Sequence, residues 1–459
     1  MAYKNLREFL ERLEKEGELV RIREEIDPKF EISAFLRRAA QRESPAFLFE
    51  KVKGYNIPVI ANLFRTRMKV ALALETEEEK IESETEKRRS SLIPPVIIPP
   101  EKASVKEVII RENIDIQKLI PVLTYHTKDI SPYITQGLVF IKNPETGIRT
   151  MGIHRIQVKD KAKLGVFLAA GTGAEYLRKW EERGQPAEVA IALGADPSVL
   201  LAAPARLPPG SDKTALAGAL RGEPLEMVKA ETVDHEIPAH AMFIIEGRIP
   251  PRVRELDGPF GESAGYYLSC QGSIIEVTAI THQKSPIYSV FHPYTPELDE
   301  LLSVTSVSEF QRLLRMFIPT LHDMSYYPSI QFLVISIRKR TPWDSKQALH
   351  NVLANMPMAK FSIVVDDDIN VRDFREVAMA LCGRFQPEED LIIARDLYGW
   401  ELDPSCKSKE GFNCTTGKIG LDATKPLDNP EPFEKVDVPP EAEMKAREIL
   451  KSPRHEMNS

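Results

Sequence analysis

The chain has 459 residues, 42% of them hydrophobic and 28% charged, with a net charge of −7. That length exceeds a single compact core and predicts two or three domains of a soluble globular protein. The acidic balance is spread rather than blocked, so the electrostatic footprint of a nucleic-acid binder is excluded. The longest apolar runs, such as QFLVISI and SIIEVTAI, fall short of the ~20 residues a membrane-spanning helix needs. The opening MAYKNLREFLERLEKEGELV is amphipathic and lacks the apolar core of a signal peptide, so a cytoplasmic location is expected. Four cysteines, Cys270, Cys382, Cys406 and Cys414, contain no C-x-x-C pair. Neither a disulfide scaffold nor a structural zinc site is expected from them.

Leu6, Phe9, Leu10 and Leu13 fall at helical spacing, and Gly17 closes that first helix. A second helix begins in DPKFEISAFLRRAAQR, with Asp27 as its cap and Pro28 in the first turn. The strand-like runs AFLFEKV and IPVIANLF follow, so an α/β domain is expected. A charged helical run, ETEEEKIESETEKRRSS, leads into LIPPVIIPPEKAS, whose prolines require an extended crossing segment. From Pro132 to about His292 the chain offers many short strands, from YITQGLVFIKN to PIYSVFHP, and reads as an antiparallel barrel. DELLSVTSVSEFQRLLRMFI reads as a connecting helix. Strand and helix then alternate as in a βαβ domain, and the Pro- and charge-rich tail as a loop with a short helix. Asp366, Asp367 and Asp368 end a strand before a helix, where capping and dipole pairing explain them better than a metal site.

Candidate chemistry centres on two segments. In TMGIHRIQV, alternation places Arg155 on one face with Met151, Ile153 and Gln157, and His154 on the other with Ile156. A guanidinium among apolar neighbours needs a carboxylate or a ligand anion. LDGPFGESAGYY supplies Asp257 and Glu262 around a Gly-Pro-Phe-Gly turn. Spacing alone leaves two readings even: a structural Arg–acid brace, or an Arg that receives a substrate carboxylate beside a proton-donating acid. His154 reads as a hydrogen-bonded core residue. His235 and His240 bracket a proline turn without helical-pair spacing, and AGTGAEY lacks the G-x-G-x-x-G spacing of a dinucleotide site.

Taken together, LREFLERLEKEGELVRI, SPYITQG, GIHRIQV, ALGADP, LAGALRGEPLEMVK, DGPFGESAGYY, VVDDDINVRD and GKIGLDAT resemble the UbiD family of reversible decarboxylases along essentially the whole chain. The resemblance implies an N-terminal α/β domain (1–118), a central split β-barrel of flavin-reductase type that carries prenylated FMN (119–300), and a C-terminal α/β oligomerisation domain (301–459). It implies a catalytic set of Arg155, Asp257 and Glu262: Arg155 orients the substrate carboxylate, Asp257 bridges to Arg155, and Glu262 donates the proton. The first acid is more often Glu in the family, so Asp257 shortens that arm. Ile153, His154 and Arg155 match flavin-binding positions, and Lys418 matches a lysine near the flavin phosphate.

The resemblance further implies a carboxy-lyase acting on an aromatic or α,β-unsaturated acid, a flavin prenyltransferase as cofactor source, and assembly as a dimer or hexamer. One departure stands out. The family anchors the flavin phosphate through a divalent metal held by Asn, His and Glu, and the matching positions here are Thr150, Ala170 and Met242. Those side chains offer little to a hard cation. No bound Mn²⁺ is therefore expected, and a monovalent ion and Lys418 are left to neutralise the phosphate. The same departure favours a competing reading, a non-catalytic or specialised subunit beside a UbiD-like paralogue. A protein that retains FMN without turnover is a third.

Overall fold

The computed structural model describes residues 3–450 apart from 169–170, 209, 357 and 408–413. Helix α1 (Leu6–Lys15) buries Leu6, Phe9, Leu10 and Leu13, and Asn5 caps it by accepting the Arg7 and Glu8 N–H groups. Strand β1 (Leu19–Ile26) follows. Helix α2 (Glu31–Ala39) starts later than its sequence suggests, because the Asp27 carboxylate accepts the Lys29 N–H in a turn and Phe30, at φ 74°, precedes the first helical residue. Asp27 is thus a turn residue and not the cap. Strands β2 (Ala46–Val52) and β3 (Val59–Ala61) complete the local sheet with β1, and helices α3 (Arg67–Leu74) and α4 (Ile81–Arg89) lead out of it.

The barrel strands are β4 (Tyr133–Lys142), β5 (Arg149–Asp160) and β6 (Lys163–Val166); then, after helix α5 (Thr172–Glu182), β7 (Ala187–Leu193). Helix α6 (Lys213–Arg221) precedes β8 (Phe243–Ile249), β9 (Arg254–Gly261) and the long β10 (Tyr267–His282). Among the described residues the antiparallel order β8-β7-β4-β5-β6-β10 closes on itself through β8–β10 pairing, with β9 attached to β10. Closure leaves few free sheet edges, and β4, paired on both sides, is buried along all but its last residue.

The next strand, β11 (Tyr288–Val290), leaves the barrel. It pairs in parallel with β3, so PIYSVFHP belongs to the N-terminal sheet and not to the β domain where its sequence had placed it. One apolar core consequently runs from Leu6 through the barrel to Val304.

Helix α7 (Glu297–Leu302), one π-helical turn (Ser303–Val307) and helix α8 (Ser308–Phe317) form the expected connector. Beyond it come β12 (Leu321–Tyr327), β13 (Phe332–Ile337), helix α9 (Asp344–Asn355), β14 (Phe361–Asp366), helix α10 (Phe374–Arg384), β15 (Leu391–Tyr398) and β16 (Thr415–Ala423). These strands form a sheet in the order β12-β13-β14-β16-β15, with its own apolar clusters. Asp373, not the preceding acids, caps α10. Asp366 and Asp368 instead pair with Arg384, each at 2.9 Å, and Asp368 with Lys425 at 2.6 Å.

Cys406 and Cys414 form a disulfide, contrary to the sequence expectation. Antiparallel pairing of Tyr398 with Thr415 brings their segments side by side, and the Gly399 N–H donates to Cys414 O at 2.7 Å. Eight positions of chain separation therefore close easily. No helix among the described residues is long and apolar enough to cross a membrane.

Candidate active site

A cavity of about 460 Å³ opens where the barrel meets the C-terminal domain. That volume falls in the range of small-molecule and cofactor sites, ~300–1,000 Å³. One wall is the first half of β5. Residues Arg149–His154 of β5 pair with β4 and Arg155 falls at a register shift, whereas β6 pairs only from Ile156 onward. The free backbone edge of β5 thus faces the cavity. This explains why Thr150 through Arg155 all line it, on both faces of the strand, although alternation had separated Arg155 from His154.

Arg155 meets both acids of the LDGPFGES segment. Its guanidinium forms an ion pair with Glu262 and lies 3.5 Å from Asp257 Oδ1. The side chains are 8% (Arg155), 0% (Asp257) and 11% (Glu262) exposed, so the charges meet in a largely dry setting. Asp257 Oδ1 also accepts from the Tyr133 hydroxyl at 3.0 Å, while Oδ2 has no hydrogen-bond partner. Burial, and then the Asp257 charge, push the Tyr133 phenol well up, so it stays a donor. Phe167 and Phe260 both pack against the guanidinium, with ring centroids 5.0 and 5.7 Å from its carbon. Its Nη2 donates to Cys270 Sγ at 3.1 Å, and burial raises that thiol to about 11. Cys270 is thus a neutral packing partner.

The Gly-Pro-Phe-Gly segment is a bulged strand, not the turn its composition suggested. It lies within β9, whose register against β10 shifts between Asp257 and Phe260 around a cis Gly258–Pro259 bond. Gly258 sits at φ 103°, and a Cβ there would lie 2.3 Å from Leu268 O. Only glycine fits. The bulge turns Asp257 and Glu262 toward the same guanidinium from one strand.

The opposite end of the cavity has a different character. Lys213 and Arg206 line it together with His154 and the start of α5. His154 is pushed down to about 4 by burial and then by the Lys213 charge, so its ring is neutral. His292, near the acids, donates from Nε2 to Ser33 Oγ at 2.8 Å when Nδ1 accepts the Tyr294 N–H at 3.1 Å. Burial and then His126 lower it to about 3. Tyr326, Trp400 and Glu401 of the C-terminal domain form the roof.

Sequence reasoning identified Arg155, Asp257 and Glu262 but missed Tyr133, Arg206, Lys213 and His292, which carry no local motif. Lys418 is a correction. It lies on β16 with its ammonium donating to Leu353 O (3.3 Å) and Met356 O (2.8 Å), and it lines no part of the cavity. Burial lowers it to about 8. It caps the end of α9 instead of meeting a ligand.

The cavity suits a flavin-class group: a free strand edge, an apolar lining that includes Val139, Ile141 and Phe167, and at one end two cations with no ion-pair partner among the described residues. It does not suit a divalent metal. Thr150 reaches the cavity, but Met242 is buried against Gly194 and does not line it, and Ala170 lies outside the described residues. Among the described residues, no group of three or more His, Cys, Asp or Glu could hold a metal ion.

Comparison with known proteins agrees with this architecture. Residues 10–88, 97–296 and 301–423 match the N-terminal, Rift-related and C-terminal domains of 3-octaprenyl-4-hydroxybenzoate carboxy-lyase, the UbiD domains. The UbiD-class enzyme HmfF from Pelotomaculum thermopropionicum, solved with FMN, is 37% identical, covering 97% of this chain and 99% of its own, with a TM-score of 0.90. An evolved dimeric form of HmfF, solved with prFMN, is 36% identical over 97% and 100%, with a TM-score of 0.87. Vanillic acid decarboxylase of Sedimentibacter hydroxybenzoicus is 31% identical over 98% and 100%, with a TM-score of 0.84. An uncharacterized protein of Archaeoglobus fulgidus is 36% identical over 93% of this chain and 92% of its own.

Proposed function

The chain belongs to the UbiD family of carboxy-lyases, and from that premise we propose that it is a prenylated-FMN-dependent decarboxylase or carboxylase of an aromatic or α,β-unsaturated acid. One observation carries the reading: a nearly dry guanidinium, Arg155, held between two carboxylates at the edge of a cavity. Losing CO₂ from an sp² carbon leaves an electron pair that no side chain can delocalise, and a bound prenylated flavin supplies that electron sink. The free edge of β5 at Ile153, His154 and Arg155 would hold the ring system.

The side chains supply orientation and a proton. A substrate carboxylate entering the cavity competes with Glu262 for Arg155, because both are anions suited to the same guanidinium. Asp257, fixed by Tyr133, keeps Arg155 in place during that exchange. Once displaced, Glu262 loses the cation that favours its ionised form and can take up a proton from water. It then protonates the carbon that CO₂ vacates. In the reverse direction the same carboxylate takes that proton.

The prenylated cofactor would come from a flavin prenyltransferase, and the protein would work in the cytoplasm as a dimer or hexamer. The lack of a divalent-metal ligand group among the described residues favours a second reading, a specialised subunit paired with a UbiD-like paralogue. Coexpression with a flavin prenyltransferase, followed by absorbance and mass spectra, tests the proposal. Prenylated FMN in the purified protein, with CO₂ release from a panel of aromatic and unsaturated acids that includes vanillic acid, supports the enzyme. Loaded protein that releases no CO₂ until a paralogue is added would favour the subunit.

A further inference from the structure

Lys213 is the first residue of α6, and its ammonium donates to two backbone carbonyls, Met151 O at 2.9 Å and Ala203 O at 2.6 Å. An ammonium has three hydrogens, and no further hydrogen bond is made by this one among the described residues. The nearest acid in sequence is committed elsewhere. Asp212 caps α6 through the Thr214 N–H (2.8 Å) and hydroxyl (2.7 Å), and it pairs with Arg149 at 2.7 Å. No carboxylate lies within ion-pair distance of Lys213 or of Arg206 among the described residues. Arg206 stacks over Phe310 at 5.0 Å instead, and Glu401 on the roof bonds Tyr398.

Lys213 is nonetheless largely buried, and burial followed by the Arg206 charge lowers it to about 8. Two uncompensated cations at one end of a cavity are costly unless an anion joins them. A third positive feature converges there. Helix α5 starts at Thr172, its N-cap Gly171 offers no side chain to the first N–H groups, and Gly171, Thr172 and Gly173 line the same cavity. A helix N-terminus of this kind favours phosphate.

Two carbonyl oxygens converging on one positive centre is also how a protein holds a bound cation. We infer that the Lys213 ammonium is a built-in cation that binds the flavin phosphate, in place of a metal ion for which the described residues offer no ligand group. The inference rests on the flavin reading above. It makes cofactor retention independent of metal and assigns the phosphate-binding charge to Lys213, with Arg206 and the α5 N-terminus beside it, and not to Lys418.

The test compares FMN with riboflavin, which lacks the phosphate, by fluorescence titration of the full-length protein. Wild type should bind FMN at least tenfold more tightly than riboflavin. Its FMN affinity should stay within twofold after chelation and after replacement of K⁺ by tetramethylammonium. Lys213→Met should weaken FMN at least tenfold while leaving riboflavin within twofold, a split that a merely misfolded variant would not show. Equal weakening of both flavins, no weakening of either, or FMN lost from wild type on chelation or K⁺ removal would overturn the assignment. Failure of wild type to bind either flavin would remove the flavin reading itself and the assignment with it.

Discussion

The two ends of the cavity solve opposite electrostatic problems. At one end the Arg155 cation is matched by Asp257 and Glu262 in a dry setting. At the other, Lys213 and Arg206 face the cavity with no carboxylate at ion-pair distance among the described residues, and His154 is kept neutral beside them. A matched site is stable when empty, and a ligand enters it only by exchanging partners. An unmatched site is strained when empty and gains from any anion that stays. The contrast fits a transient substrate carboxylate at the Arg155 end and a resident phosphate at the Lys213 end.

The largest effect should come from Glu262→Gln in cofactor-loaded protein. Gln keeps the volume but carries no transferable proton, so decarboxylation should fall by ~10²–10⁴ while flavin affinity is retained. Steady-state CO₂ release alongside a flavin titration checks both halves. Undiminished turnover would mean that the matched end does not exchange partners as described.

Arg155→Ala separates the two ends by stability. It strands Asp257 and Glu262 without their cation, which typically costs ~3–5 kcal/mol, and the melting temperature of the ligand-free protein should drop accordingly. Lys213→Met removes an unmatched cation, and that relief offsets the two carbonyls it leaves unpaired, each worth ~1–3 kcal/mol. Its melting temperature should stay near that of wild type. Equal losses in both variants would erase the contrast.

A smaller effect is expected from His292. Its folded value, about 3, lies below the ordinary 6.5, so between those values the unfolded chain binds the proton that the folded chain refuses. Stability should therefore fall as the pH drops through this window, and His292 should add nothing above pH ~6.5. Between pH 7 and 5 the contribution is at most about 2 kcal/mol. His292→Gln should flatten the dependence of the melting temperature on pH by that amount, and an unchanged slope would show that the ring titrates alike in the folded and unfolded chain. The smallest effect belongs to Lys418→Met, whose FMN affinity should match wild type because the ammonium is spent on the Leu353 and Met356 carbonyls.

The matched end was legible in the sequence because its parts are local. Acid, glycine, proline and acid lie within six residues at the end of β9, and a lone arginine on an apolar strand asks for partners. The barrel was legible through strand periodicity. The unmatched end was not, because its meaning lies in which carboxylates are absent around Lys213, and absence in space leaves no mark in a string. Asp212 stands directly before Lys213 yet serves the helix cap and Arg149. Tyr288–Val290 was misplaced for a related reason: strand character is local, but the choice of sheet depends on where β3 waits. The Cys406–Cys414 pair depends likewise on the pairing of β15 with β16.

In the proposed mechanism Glu262, once displaced from Arg155, delivers the proton to the carbon that loses CO₂. Turnover of a decarboxylated acid in D₂O by prenylated-FMN-loaded protein tests it most directly, with the product read by mass spectrometry for wild type and Glu262→Gln. The account predicts one deuterium at the vacated carbon in the wild-type product and almost no product from the variant. Deuterated product formed at the same rate by both proteins would contradict it.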